Sequence, residues 1–148
     1  MLRGIDPLLS PDLLQALRAM GHGDHLVLAD ANFPAHSTGR KVIRCDGVDG
    51  PRLLQAILSV MPLDTYTALP ALCMQVVDNP AEIPAVVVEY QETILAVADQ
   101  PCTIAAVERY EFYDLAKAAF VVIQTGELRL YGNLILHKGV LTPQPESP

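Results

Sequence analysis

A chain of 148 residues has room for one hydrophobic core and not for two, so a single domain spanning residues 1–148 is expected. Half of it is apolar, only 18% is charged, and the mean hydropathy is +0.28, which is more apolar surface than a lone 16 kDa globule shows to water and favours an oligomer. The formal charge of -7, with no Lys/Arg run longer than Arg40-Lys41, argues against nucleic acid, whose binding needs clustered cations to displace counterions.

Ser10-Pro11-Asp12 predicts a helix start: a capping side chain, a proline whose missing N–H does no harm, and a carboxylate near the positive end. Leu13, Leu14, Leu17 and Met20 then share one face, and Gly21 can end the helix. The run Leu26-Val27-Leu28-Ala29 stops abruptly at Asp30, and continuous hydrophobicity is what a strand buried on both faces requires. Val42 to Cys45 reads as a short strand. Asp49-Gly50-Pro51 opens a second helix with Leu53, Leu54, Ile57, Leu58 and Met61 on its apolar side, closed by Pro62.

Further along, Leu72 to Val77 reads as a strand, Pro84 to about Ala98 as a helix, Ile104 to Val107 as a strand ending in Glu108-Arg109, and Glu111 to Ala119 as a helix. Strands around Phe120 to Gln124 and Leu134 to His137 follow. Strands alternating with helices imply crossover units, hence an α/β fold with a mostly parallel central sheet. With three prolines and no apolar run after Leu141, residues 138–148 are expected to form a loose tail.

Cysteines 45, 73 and 102 are odd in number, form no C-x-x-C pair and lie in or beside apolar segments, which predicts reduced, inert thiols and a cytoplasmic address. Asp6, Pro7, Pro11 and Asp12 interrupt any signal-like start, and no apolar run approaches the roughly 18 residues of a membrane span. Neither secretion nor membrane insertion is expected.

Ligands of open α/β sheets collect at the carboxyl ends of strands, which singles out Asp30 and Arg109. Gly21-His22-Gly23-Asp24 adds an imidazole between two glycines, where a ligand or a neighbouring chain can come close. Each has a plain structural alternative. His22 can cap a helix, Asp30 can close a turn, Arg109 can pair with Glu108 or Glu111, and Tyr131-Gly132-Asn133 can be only a turn. His22, Asp24, His25, Asp30 and His36 are all potential metal ligands, but their spacing matches no H-E-x-x-H or C-x-x-C pattern. The chain also lacks the glycine-rich phosphate cradles of nucleotide sites and the G-x-S-x-G of nucleophilic hydrolases.

Taken together, Met20-Gly21-His22-Gly23-Asp24 and Ala29-Asp30-Ala31-Asn32-Phe33-Pro34-Ala35-His36-Ser37 resemble the N-terminal signature of the fucose mutarotase/ribose pyranase family, on its bacterial L-fucose branch. Val42 to Gly47, Leu53 to Ile57, Arg109 to Tyr113 and Tyr131 to Leu136 agree, so the resemblance runs in order from residue 5 to about 142. The chain departs from the fucose pattern at Asn32 and over Asp78 to Glu82. The resemblance implies a three-layer α/β/α fold, a cytoplasmic homodecamer of two stacked pentameric rings, and active sites completed by a neighbouring subunit. It also implies that His22 is the catalytic proton donor, while Asp30, Arg109, Tyr131, Gly132 and Asn133 bind the monosaccharide.

The implied reaction opens a hemiacetal: the anomeric hydroxyl loses a proton, the ring oxygen gains one, and the free aldehyde rotates and closes again. No electrons move, so no cofactor and no metal are expected. An imidazole, titrating near neutral pH in its unperturbed form, suits the proton transfer. Arg109 offers a fork of donors, Asn133 both a donor and an acceptor. Phe33, Tyr110, Tyr113 and Tyr131 offer aromatic faces for the apolar side of a 6-deoxy sugar; for the first three, core packing is the plainer expectation. The alternatives are a D-ribose pyranase-like activity, a sugar-binding oligomer without turnover, a metal-dependent enzyme built on the histidine-rich N-terminal segment, and aldose–ketose isomerisation.

Overall fold

The computed structural model describes residues 1–39 and 41–143. The elements run α1 (Pro11–Ala19), β1 (His25–Ala29), α2 (Ala35–Thr38), β2 (Val42–Cys45), α3 (Gly50–Leu58), β3 (Ala71–Met74), α4 (Ala85–Val97), β4 (Ala105–Val107), α5 (Arg109–Ala118), β5 (Val121–Thr125) and β6 (Leu134–His137).

The starts of α1, α3 and α5 follow from their caps. The Ser10 hydroxyl accepts from Leu13 N at 3.2 Å, the Asp49 carboxylate from Arg52 N at 2.9 Å, and the Glu108 carboxylate from Tyr110 N at 2.7 Å, each satisfying an amide that the helix itself leaves free. Because Glu108 is a cap, Arg109 is the first residue of α5 rather than the end of a strand.

The six strands lie in the order β2-β5-β1-β6-β3-β4. β1 pairs with β5 in parallel, β2 with β5 and β3 with β4 likewise; β6 runs antiparallel to both β1 and β3. Alternation along β1 sends Leu26 and Leu28 to one face and Val27 and Ala29 to the other. The first face packs against Leu13 and Leu17 of α1, Leu53, Leu54 and Ile57 of α3, and Tyr90 and Ile94 of α4. The second packs against Ala35 of α2 and Phe112 and Ala116 of α5. This is the expected three-layer α/β/α arrangement on a mostly parallel sheet.

Two expectations need correction, and one element was not foreseen. The strand expected over Leu72 to Val77 stops at Met74, and the chain turns through Asp78, whose φ is 62°. The one-turn helix α2 has no cap or period in the sequence to announce it. The stretch after β6 does not begin as a loose tail. Lys138 bridges to Leu63, Gly139 N donates to Pro62 O at 2.9 Å, and the Lys138 ammonium caps α1 by donating to Leu17 O at 2.7 Å and Met20 O at 2.6 Å. Residues 144–148 of the expected tail lie outside the described residues. The cysteines are free, with Cys73 buried and Cys45 and Cys102 half-buried, and burial pushes each thiol up from its ordinary pKa.

Candidate active site

The antiparallel strand β6 decides where the site forms. Its register pairs Leu28 with Leu134, so the residues entering β6 lie beside the carboxyl end of β1. Asp30 and Asn133 meet there. Asp30 N donates to Asn133 Oδ1 at 2.9 Å, and Asn133 Nδ2 donates to Asp30 Oδ2 at 2.8 Å. Asn32 N donates to the other carboxylate oxygen at 2.9 Å, closing the turn that the sequence allowed for. Both residues are buried. Burial raises the Asp30 pKa from the ordinary carboxylate value, against the pull of the Asn32, Asn133 and Phe33 donors; the nearby Glu127 charge adds to the rise.

Tyr131 sits at φ 63°, a left-handed conformation uncommon for a residue with a bulky side chain. Its hydroxyl accepts from Val77 N at 3.1 Å, which leaves the phenolic proton free to donate elsewhere. Gly132 is closely enclosed. A Cβ there would lie 2.8 Å from Glu127 Cγ and 3.2 Å from Arg129 O. Its carbonyl accepts from the Tyr90 hydroxyl at 2.9 Å.

Arg109 approaches from the start of α5. It pairs with neither Glu108 nor Glu111; the guanidinium lies 4.8 Å from the Tyr110 ring centroid and donates to the Tyr110 hydroxyl at 3.0 Å. That hydrogen bond raises the Arg109 pKa further above its already high value. Asp30, Arg109, Tyr131 and Asn133 thus line one open cavity of about 220 Å³, whose apolar side is Phe33, Met74, Val77, Tyr113 and Leu130. Phe33 and Tyr113 stack at 5.5 Å with planes 15° apart. Core packing was the plainer expectation for three aromatics, and the outcome is split. Phe33 is buried and also lines the cavity, Tyr113 lines it half-buried, and Tyr110 is exposed beneath the Arg109 head.

His22 is not in this cavity. It precedes the amino end of β1, whereas Asp30 follows its carboxyl end, and five residues at about 3.3 Å each put roughly 15 Å of strand between them. Instead, His22 Nε2 lies 3.2 Å from Oδ1 of Asp64, and the Tyr66 ring meets the imidazole edge-on at 5.0 Å. The carboxylate is buried, while 46% of the imidazole is exposed. Burial pushes the Asp64 pKa up, but the Tyr66 N–H and His22 outweigh it and hold the carboxyl below the ordinary range. The helix-capping role allowed for His22 belongs to Lys138 instead. His22 borders a second cavity of about 530 Å³, largely apolar, shared with Leu14, Met20, Val60 and Pro62.

Asp64 was missed in the sequence, although a lone carboxylate ending the apolar run Val60 to Leu63 was a usable signal. The five potential metal ligands of the N-terminal segment do not converge. Asp24 caps Gly21 N at 2.7 Å, His25 Nε2 lies 2.8 Å from Leu115 O, and the described residues hold no group of three or more His, Cys, Asp or Glu placed to share a metal ion.

The sequence model described as the RbsD / FucU transport protein family matches residues 3–141. Over 97% of both chains, the sequence is 50% identical to the fucose mutarotase of Homo sapiens. It is 46% identical to the L-fucose mutarotase of Histophilus somni (strain 2336), over 95% of this chain and 97% of that one. Among solved structures, the fucose mutarotase of Streptococcus pneumoniae in complex with L-fucose matches with a TM-score of 0.88 at 45% identity, covering 95% of this chain and all of that one. The RbsD of Bacillus subtilis complexed with D-ribose matches with a TM-score of 0.70 at 26% identity, over 96% of this chain and all of that one.

Proposed function

The chain belongs to the RbsD / FucU transport protein family, and from that premise we propose that it is an isomerase, a mutarotase that interconverts the anomers of L-fucose by opening and reclosing the hemiacetal ring. The observation that carries the reading is the convergence of Asp30, Arg109, Tyr131 and Asn133 on one cavity, in a chain about half identical to fucose mutarotases along nearly its whole length.

Each group has a defined part. The Asp30 carboxylate, already holding two N–H donors, keeps lone pairs for a sugar hydroxyl and accepts or steers the proton leaving the anomeric oxygen. Arg109 and the free phenolic proton of Tyr131 donate to sugar oxygens. Asn133 spends one N–H and its carbonyl on Asp30, so it has one N–H left for the sugar. Gly132 contributes backbone: no side chain intrudes, and its carbonyl is held from below. Phe33, Met74 and Tyr113 provide an apolar wall suited to a 6-deoxy methyl group. His22 delivers the proton to the ring oxygen as the C1–O5 bond breaks; the O1–H bond becomes the carbonyl π bond, and reversal on the other face gives the second anomer. Every proton lost is regained, so no cofactor is needed.

A histidine one strand length away cannot serve the Asp30 cavity of its own chain, so the site takes His22 from a second copy. Exposed Leu130 lining the Asp30 cavity and exposed Tyr66 beside His22 support such a head-to-tail contact, which closes into a ring. We assign the ring to a homodecamer of two stacked pentamers. The three free thiols support a cytoplasmic setting, and no described helix is long and apolar enough to cross a membrane. The unit is one mutarotase domain spanning residues 1–148, without nucleic-acid or membrane partners.

The ribose alternative rests on the more distant likeness. Anomer exchange measured by saturation-transfer NMR on equilibrated L-fucose and D-ribose separates the two. Greater acceleration for L-fucose is expected, and a preference for D-ribose would reverse the assignment of the sugar.

A further inference from the structure

The Tyr131–Asn133 turn is held from the far side of the sheet by a side chain that never meets the cavity. Tyr90 lies on α4, among the residues of the first core face, and is wholly buried, whereas the cavity opens on the second face. A phenol hydroxyl at that depth must find a partner. The one it takes is the Gly132 carbonyl, at 2.9 Å. Burial, followed by the Glu127 and Asp30 charges, pushes the phenol well above its ordinary pKa, so it remains a donor at any working pH.

The contact depends on two further residues. Gly50, at the start of α3, has no side chain, and any Cβ there would overlap the Tyr90 hydroxyl. Glu127 packs its Cγ against Gly132 and is itself fixed by Arg129 N at 3.0 Å, Arg129 Nε at 2.9 Å and Gly50 N at 3.4 Å. Arg129 in turn reaches Glu89, the neighbour of Tyr90 on α4, with Nη2 to Oε2 at 3.1 Å. A left-handed tyrosine persists only where its surroundings over-determine it, and this cluster, with Val77 N at the other end of the ring, does so.

We propose that Tyr90 is a positioning residue for the sugar site, setting the backbone of Tyr131 through the Gly132 carbonyl so that the Tyr131 hydroxyl faces the cavity before the sugar arrives. The inference rests on the mutarotase reading. Without the Tyr90 hydroxyl the turn relaxes toward ordinary backbone angles, and the sugar must restore the bound geometry at the expense of affinity. Chemistry after binding is unchanged. Such a loss raises KM and leaves kcat alone.

The test compares wild type, Tyr90→Phe, Gly50→Ala and Ile94→Val by exchange NMR over a range of L-fucose concentrations, with thermal unfolding in parallel. Tyr90→Phe and Gly50→Ala, one deleting the hydroxyl and the other displacing it, are expected to raise KM about fivefold or more with kcat within about twofold. Ile94→Val trims the same buried helix face without touching Gly132, and its KM is expected to stay at the wild-type value. The proposal is overturned if Tyr90→Phe lowers the melting temperature with KM unchanged, or if Ile94→Val raises KM to the same extent. Those results, obtained with an active wild type, leave the mutarotase reading standing. A wild type that does not accelerate exchange removes both.

Discussion

Asp30 and Asn133 bind each other twice, backbone amide to side-chain carbonyl at 2.9 Å and side-chain amide to carboxylate at 2.8 Å, across the seam between β1 and β6. The Asp30 carboxylate is therefore oriented by a residue 103 positions later in the chain. Asn133→Ala strands the buried Asp30 N–H and is expected to cost about 1–3 kcal/mol of stability. It also removes a donor that opposes the rise in the Asp30 pKa. In the role proposed for Asp30 the charged form accepts sugar hydroxyls, so activity is expected to fall as pH drops through the Asp30 pKa, and the acid limb of the variant's pH–rate profile is expected at higher pH than in wild type. An unmoved acid limb would contradict the role given to Asp30.

Oδ1 of the Asp64 carboxylate lies 3.2 Å from His22 Nε2 and fixes the orientation of the ring. Asp64→Asn keeps the shape and one acceptor but removes the charge, so kcat is expected to fall about tenfold or more with the fold retained, as read by exchange NMR beside circular dichroism. Wild-type kcat in this variant would reduce Asp64 to a structural group.

Much of this arrangement was legible in the sequence, for reasons that can be named. Helix starts are local chemistry, so Ser10, Asp49 and the proline after each gave α1 and α3 away. A fully apolar run ending in an aspartate located both β1 and its carboxyl end. The direction of β6 was not legible, because antiparallel insertion is decided by neighbours distant in sequence, and that direction is what brings Asn133 to Asp30. The alliance of Asp64 with His22 was hidden likewise, as 42 residues separate them and neither carries a spacing motif. Gly132 stood out in the sequence, yet the Tyr90 hydroxyl beneath it did not, since a tyrosine on a helix reads first as core.

Glu127 gives a pH signature of stability. Hydrogen bonds from Arg129, against a burial penalty, bring its pKa down to about 2. A carboxyl depressed in the folded state stabilises it above the ordinary carboxylate value and loses that contribution as pH falls toward the folded value. Glu127→Gln is expected to be less stable than wild type at pH 7 by chemical denaturation, with the gap closing between about pH 4.5 and 2. A gap that does not change with pH would rule out the charge as its source.

Gly132→Ala forces a methyl to within 2.8 Å of Glu127 Cγ and presses on the Arg129 carbonyl. Overpacking of that kind costs about 1–3 kcal/mol, and the displaced turn carries Tyr131 with it. The variant is expected to show a lower melting temperature together with weaker L-fucose binding by calorimetry. Full affinity would show that the turn tolerates the shift.

The separation of His22 from Asp30 by the length of β1 makes a prediction about mixtures. His22→Ala and Asp30→Asn are each expected to be inactive. Unfolded together and reassembled, they are expected to regain activity up to about one quarter of wild type, the statistical share of contacts pairing an intact His22 with an intact Asp30. A mixture as inactive as its components would place both groups in one chain's own site.

The most direct measurement is the rate of anomer exchange in equilibrated L-fucose, followed by saturation-transfer NMR with and without the protein at neutral pH. Exchange is expected to accelerate in proportion to wild-type protein, to return to the spontaneous rate with His22→Ala, and to leave the equilibrium anomer ratio unchanged with no ketose formed. No acceleration by wild type for L-fucose, D-ribose, D-galactose or D-glucose would contradict the account at its centre.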